Sequence, residues 1–255
     1  MPVPESASVP AASAQGTSGP AIDYGRLSKP HGALDNAVFY PFHMLVRMLL
    51  GLICRLRVEG APPASGGYVL AANHTSFLDP VILGSSVRRR ISFLMTETVW
   101  RSASSGWFYR WNRSIPLSAR GGNREGLRAA REVLKQQRVV GIFPEGGISR
   151  DGKLMLGSPG AVALVLNDGM PIVPVGIIGA DEVMPVSGGF RFRRITVRYG
   201  KPILPEEIAA LGSDRKTRLR EATRLIMQRI ADLVGQDARE DVLEAARQAE
   251  QAQNA

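Results

Sequence analysis

His74 and Asp79 stand five residues apart in the segment Asn73–Pro80, NHTSFLDP. An imidazole can take a proton from a hydroxyl, and a carboxylate on its other ring nitrogen fixes the tautomer and supports the cation that forms. A turn, or the first turn of a helix, between the two residues brings the carboxylate back to the ring. Asn73 and Ser76 flank the histidine and are read as substrate contacts. Ser76 is too close along the chain to be set opposite the ring as a nucleophile. The same pair also fits a structural histidine bonded at a strand end.

A second group follows the apolar run VVGIF in the segment IFPEGGISRDG. Gly146 and Gly147 let backbone amides approach an anion or an oxyanion closely. Glu145, between a proline and two glycines, is a positioned acid, and Ser149 adds a hydroxyl. Arg150 offers a fork of donors suited to phosphate. The plain alternative is a surface turn with a solvated charge pair. The segment lacks the lysine and length of a phosphate-binding P-loop, and no Gly-x-Gly-x-x-Gly run follows a strand. ATP and dinucleotide chemistry are therefore not supported.

The elements that must position these groups are legible as pattern. YVLAA is an apolar strand ending at the histidine, with a helix opening at DPVILGSSV. ISFLM, VVGIF, PIVPVGIIGA and RRITVRYGKPI are further strands, and RLRVEG and SIPL are short ones. Residues 122–137 and 213–234 have helical periodicity, and PGAVALVLNDG reads as a helix closed by Gly169. WRSASSGWFYRWN is a mixed helix-and-loop stretch dense in aromatics. Strands alternating with helices predict an α/β domain with a central, mostly parallel or mixed sheet flanked by helices.

The ends differ in character. Residues 1–30 open small, polar and proline-rich and are read as a disordered tail without a signal peptide. Residues 31–57 hold the most apolar stretch, AVFYPFHMLVRMLLGLIC, broken by His43 and Arg47 and followed by Arg55 and Arg57. A mid-segment charge is costly in hydrocarbon, so the segment predicts a helix lying on a membrane face. A soluble helix packed on the domain is the alternative. Residues 58–235 form the folded domain that carries both loop segments. Residues 236–255, with five acids against two arginines, read as a polar helical tail.

The formal net charge of +9 draws the chain to polyanions or anionic surfaces. No zinc-finger, homeodomain-like or RNA-binding aromatic signature accompanies it, so nucleic acid is not expected. The single cysteine, Cys54, can form neither an internal disulfide nor a thiolate metal site, and it lies in an apolar run. No metal is expected.

Taken together, Asn73–Pro80 resembles the H-x-x-x-x-D block of the glycerolipid acyltransferases. Residues 143–149 are similar to that family's F-P-E-G-T-R-S block, and Pro171–Val175, PIVPV, resembles its later proline block. The order and separations also fit, over roughly residues 55–200. The resemblance implies acyl transfer from an acyl thioester to the hydroxyl of a lysophospholipid such as 1-acyl-glycerol 3-phosphate. His74 would be the general base and Asp79 its orienter. Glu145 and Gly146 would take acceptor-site roles, Arg120 would stand for the family's arginine block, and Pro174 would be a wall of the site. Acyl-CoA or acyl-carrier protein would be the cosubstrate, with no resident cofactor. The expected place is the cytoplasmic face of the cell membrane, peripheral or monotopic, against an anionic surface. This chain has Gly147 and Ile148 where the family often has threonine and arginine. Arg150 with Arg120 then becomes the expected phosphate contact. The alternative is another acceptor, such as glycerol 3-phosphate, a lyso-ornithine lipid or a glycosylated lipid.

Overall fold

Short runs of apolar residues bounded by glycine, proline or polar turns form the strands. In the computed structural model, residues 20–118, 121–163 and 169–239 are described. The strands are β1 (Arg57–Glu59), β2 (Tyr68–Ala72), β3 (Ile91–Thr96), β4 (Ile115–Leu117), β5 (Val139–Ile142), β6 (Ile172–Ile178) and β7 (Thr196–Tyr199). They make one sheet in the order β1-β7-β6-β2-β5-β3-β4. Every neighbouring pair is parallel except β6 and β7, which run antiparallel. This is the mixed sheet flanked by helices that the alternating pattern predicted.

Helices cover both faces, so β2 reads as a continuous apolar run with every residue buried. Alternate residues serve opposite cores. Val69 and Ala71 pack with α6 (Arg124–Lys135) and α10 (Arg215–Val234) on one face. Tyr68, Leu70 and Ala72 pack with Ile82 and Leu83 of α3 (Asp79–Ser86) on the other. Cys54 is buried in that second core.

The N-terminal segment departs from the expected tail. Residues 24–28, placed by the sequence in a disordered stretch, form α1 (Tyr24–Ser28). Its Leu27 is buried, and the Tyr24 hydroxyl donates to the Pro116 carbonyl at 3.0 Å. Residues 1–19 and 240–255 lie outside the described residues, as do residues 164–168 of the helix expected to end at Gly169. Of that helix, α7 (Pro159–Val162) is described.

The apolar segment is a single helix, α2 (Ala33–Cys54), 22 residues long, with a mean hydropathy of 1.7 over its most apolar window. The two polar residues that interrupt it, His43 buried and Arg47 exposed, both bind the end of α3. His43 Nε2 lies 3.0 Å from the Gly84 carbonyl and 2.9 Å from that of Val87, and Arg47 donates to Ser85 O at 2.8 Å. These carbonyls are ones that a helix C-terminus leaves unpaired. The outward face is apolar instead: Leu34, Val38, Met44, Met48 and Leu52 are all more than half exposed. The remaining helices are α4 (Glu97–Trp100), α5 (Gly106–Trp111), α8 (Ala180–Val183) and α9 (Pro205–Ala209).

One glycine bears directly on the site. Gly141 of β5 stands opposite Phe93 of β3, and a Cβ there would come within 2.6 Å of the Phe93 ring. Phe93 stacks in parallel on Phe143, which carries the contact to His74. Gly141→Ala is therefore expected to displace that ring, at a cost of about 1–3 kcal/mol. The urea midpoint measures it, and an unchanged midpoint would show that the stack accommodates the methyl group.

Candidate functional site

β2 and β5 are neighbours in the sheet and parallel, so the loops after them leave the same edge. That edge, beyond the carboxyl ends of parallel strands, is where open α/β sheets place ligands. The first loop carries Asn73–Leu78 into α3, and the second carries Phe143–Arg150.

The first loop folds around one carboxylate oxygen. Asp79 Oδ2 accepts from Thr75 N at 2.6 Å, from Ser76 N at 2.8 Å and from the His74 ring at Nδ1, 2.8 Å away. Pro80 follows at a helix position where no amide donor is needed. Asp79 is fully buried. Burial pushes its carboxyl above the ordinary range, against the pull of the His74 ring and the two amides. With Nδ1 donating to Asp79, the free lone pair of the ring is on Nε2. No hydrogen bond occupies Nε2 among the described residues. One face of the ring stacks on Phe143 with centroids 4.1 Å apart. Nothing in the sequence marked Phe143 as a ring partner, although it immediately precedes the glycine turn.

Glu145 joins the two loops. Its Oε1 accepts from His74 N at 2.7 Å and its Oε2 from Met155 N at 2.8 Å. Ser149 N returns a bond to the His74 carbonyl at 2.8 Å. Both carboxylate oxygens of Glu145 are thus engaged with backbone, so the structure gives this residue a clamping position where the sequence suggested an acceptor contact. Ser149 is buried, with its hydroxyl donating to Asp151 at 2.9 Å. Gly146 is exposed with φ +73°, a conformation that favours glycine. Arg150 is exposed. Arg120 lies outside the described residues.

Three other expected contacts are built into the scaffold. Asn73 is buried and bridges to β6, donating to Ile177 O at 2.8 Å and accepting from Ile177 N at 2.7 Å. Ser76 is fully buried and donates to Met184 O at 2.8 Å. Pro174 is buried inside β6, its ring beside Gly200, the residue that follows β7. The polar loop around His74 looked like a binding surface. The side chains of Asn73 and Ser76 instead fix that loop to β6 and to Met184.

Beside the pair lies an apolar cavity of about 330 Å³. Phe77, Pro80 and Val81 line it from the His74 loop and α3. Phe93 comes from β3, Phe42 from α2 and Tyr109 from α5. Burial, and then the charge of Asp79, raise the Tyr109 hydroxyl above its ordinary value, consistent with its place near the carboxylate. Among the described residues no group of three or more His, Cys, Asp or Glu side chains is set to hold a metal ion.

Burial also pushes the Glu145 carboxyl up to about 7, from an ordinary 4.5. A carboxyl raised in this way keeps a proton in the fold that the unfolded chain has released. Its contribution is greatest below about 4.5 and is lost as pH rises towards about 7. The full swing is on the order of 3 kcal/mol. Denaturation midpoints measured between these limits should fall with pH more steeply in the wild type than in Glu145→Gln. Equal slopes would mean that Glu145 is not held in a dry clamp.

The chain is similar to known proteins in sequence and in fold. Residues 55–178 match the family model described as Acyltransferase. A chloroplastic 1-acyl-sn-glycerol-3-phosphate acyltransferase of Brassica napus is 26% identical over 173 residues, covering 66% of this chain and 50% of that protein. The 1-acyl-sn-glycerol-3-phosphate acyltransferase of Bacillus subtilis is 26% identical over 174 residues, covering 67% of this chain and 83% of the relative. The chain spans about half the length of the chloroplast relatives it matches. In fold it is similar to the crystal structure of the 1-acyl-sn-glycerophosphate acyltransferase PlsC from Thermotoga maritima. The TM-score is 0.63 at 20% identity, over 82% of this chain and 86% of that one. The residues that match the Acyltransferase family model run from the end of α2 through both loops of the site to the last residue of β6.

Proposed function

We propose that this chain transfers an acyl group from acyl-CoA or acyl-carrier protein to the free hydroxyl of 1-acyl-glycerol 3-phosphate at a membrane surface. The observation that carries the reading is the His74–Asp79 pair, with Nδ1 held at 2.8 Å by a buried carboxylate and Nε2 without a hydrogen-bond partner among the described residues. His74 Nε2 takes the proton of the acceptor hydroxyl, and the oxygen attacks the thioester carbonyl. The carbon–sulfur bond then breaks, and the leaving thiolate takes the proton back from the imidazolium. Direct transfer needs no enzyme nucleophile, and the hydroxyl of Ser76 is committed to Met184 O.

Supporting groups surround this step. The amides of Gly147 and Ile148 meet no protein acceptor among the described residues, and in the proposed reaction they serve the oxyanion or the acceptor phosphate. Arg150, exposed just beyond them, is the phosphate contact in this reading, with Arg120. The apolar cavity receives an acyl chain. α2 lies against the bilayer by its outward apolar face, with His43 and Arg47 bonded to the end of α3.

His74→Ala is expected to lower turnover about a hundred- to ten-thousand-fold while circular dichroism is unchanged. Near-normal turnover in the folded variant would remove the assignment. The acceptor is tested separately by comparing phosphorylated with uncharged lysolipids. A wild type that never prefers the phosphorylated acceptor points to the alternative-acceptor enzyme with the same base. A third test concerns Gly84 of α3, which lines the cavity and where a Cβ meets nothing within 4 Å. Gly84→Leu should fill the cavity and shift the preferred acyl donor to shorter chains. An unchanged chain-length profile would place the acyl group elsewhere.

A further inference from the structure

Between α8 and β7 the chain runs Pro185–Arg194, PVSGGFRFRR, with no regular structure. At its tip Phe190 is 51% and Phe192 76% exposed, and their rings meet edge to face at 5.7 Å. Arg191, Arg193 and Arg194 alternate with and follow them, all exposed. The nearest acid on the segment's own flank, Glu182, is 4.0 Å from Arg193 and itself exposed. Two bare aromatic rings among three guanidinium groups are poorly suited to bulk water. Rings at headgroup depth, with cations among lipid phosphates, satisfy both kinds of group.

The placement of this segment is fixed at both ends. At one end, Met184 O accepts the Ser76 hydroxyl, which ties the segment to the loop that holds His74. At the other, Ile195 N donates to Cys54 O and Arg57 N donates to Ile195 O, both at 2.9 Å, which ties it to the C-terminus of α2. The exposed residues there are Leu52, 78% exposed, with Arg55 and Arg57. The segment that carries the aromatic tip is therefore anchored to the His74 loop at one end and to the end of α2 at the other.

We propose that residues 190–194 are a second membrane contact, which inserts Phe190 and Phe192 among the headgroups of an anionic phospholipid surface and binds its phosphates through Arg191, Arg193 and Arg194. The proposal rests on the membrane reading of α2 given above and adds to it a contact that fixes rotation. One amphipathic helix lets a domain roll about the helix axis. A second contact near the His74 loop sets the cleft against the surface from which a lysolipid would enter.

The full chain is tested by co-sedimentation with vesicles of phosphatidylcholine alone and of phosphatidylcholine with phosphatidylglycerol. Replacing Arg191, Arg193 and Arg194 together by Gln should weaken binding to the anionic vesicles about a hundredfold, with binding to the neutral vesicles unchanged. Phe190→Ser with Phe192→Ser should weaken binding to both. All five side chains are exposed, and circular dichroism checks that each variant is folded. If the wild type sediments with anionic vesicles and either variant sediments equally well, the tip does not touch the bilayer and the proposal falls, while the reading of α2 stands. A wild type that sediments with neither vesicle overturns both.

Discussion

The site depends on one carboxylate oxygen. Oδ2 of Asp79 gathers two backbone amides and the His74 ring within 2.6–2.8 Å, in a position with no access to water. A buried carboxyl is costly unless donors converge on it. Here the donors to Oδ2 are local, supplied by residues 74–76, so binding that oxygen and shaping the loop are the same event, while Oδ1 is buried without a partner among the described residues. The tautomer of His74 follows, and with it the nitrogen left for a substrate. A second acid, Glu145, then fixes this loop to the next one by taking the His74 amide from one side and Met155 from the other. The sheet fixes the remainder, since β2 and β5 are adjacent and parallel and deliver both loops to one edge.

The long helix is built on the opposite plan from a soluble amphipathic helix. Its polar interruptions, His43 and Arg47, bind the carbonyls at the end of α3, and its leucines and methionines face outward. α3 begins at Asp79, so the same short helix connects the His74–Asp79 pair to the helix proposed to touch the membrane. The apolar cavity lies between these elements. In the proposed reaction this arrangement lets an acyl chain reach His74 with little exposure to water.

Much of this was legible in the sequence where the interaction is local. The His74–Asp79 pair could be read from a five-residue spacing at the end of an apolar strand, and β2, β3, β5 and β6 from their apolar runs. What the sequence obscured was long-range. Glu145 looked like a substrate contact because its partners, the amides of His74 and Met155, carry no signature and one lies 71 residues away. Asn73 and Ser76 looked like binding residues for the same reason, since Ile177 and Met184 bind them through backbone atoms. Phe190 and Phe192 were passed over because the strand pattern of RRITVRYG begins just after them. The short helix at residues 24–28 was missed because five residues give too little periodicity to stand out from a polar tail.

The central claim is that Asp79 acts through His74 and has no separate part in catalysis. A double-mutant cycle on the acyl-transfer rate tests this most directly, with His74→Ala, Asp79→Asn and both together in folded protein. If the carboxylate works by orienting and supporting the ring, Asp79→Asn lowers the rate strongly in the wild type and changes nothing further once the ring is gone. If the two losses instead multiply in the double variant, Asp79 acts independently of His74 and the account is wrong.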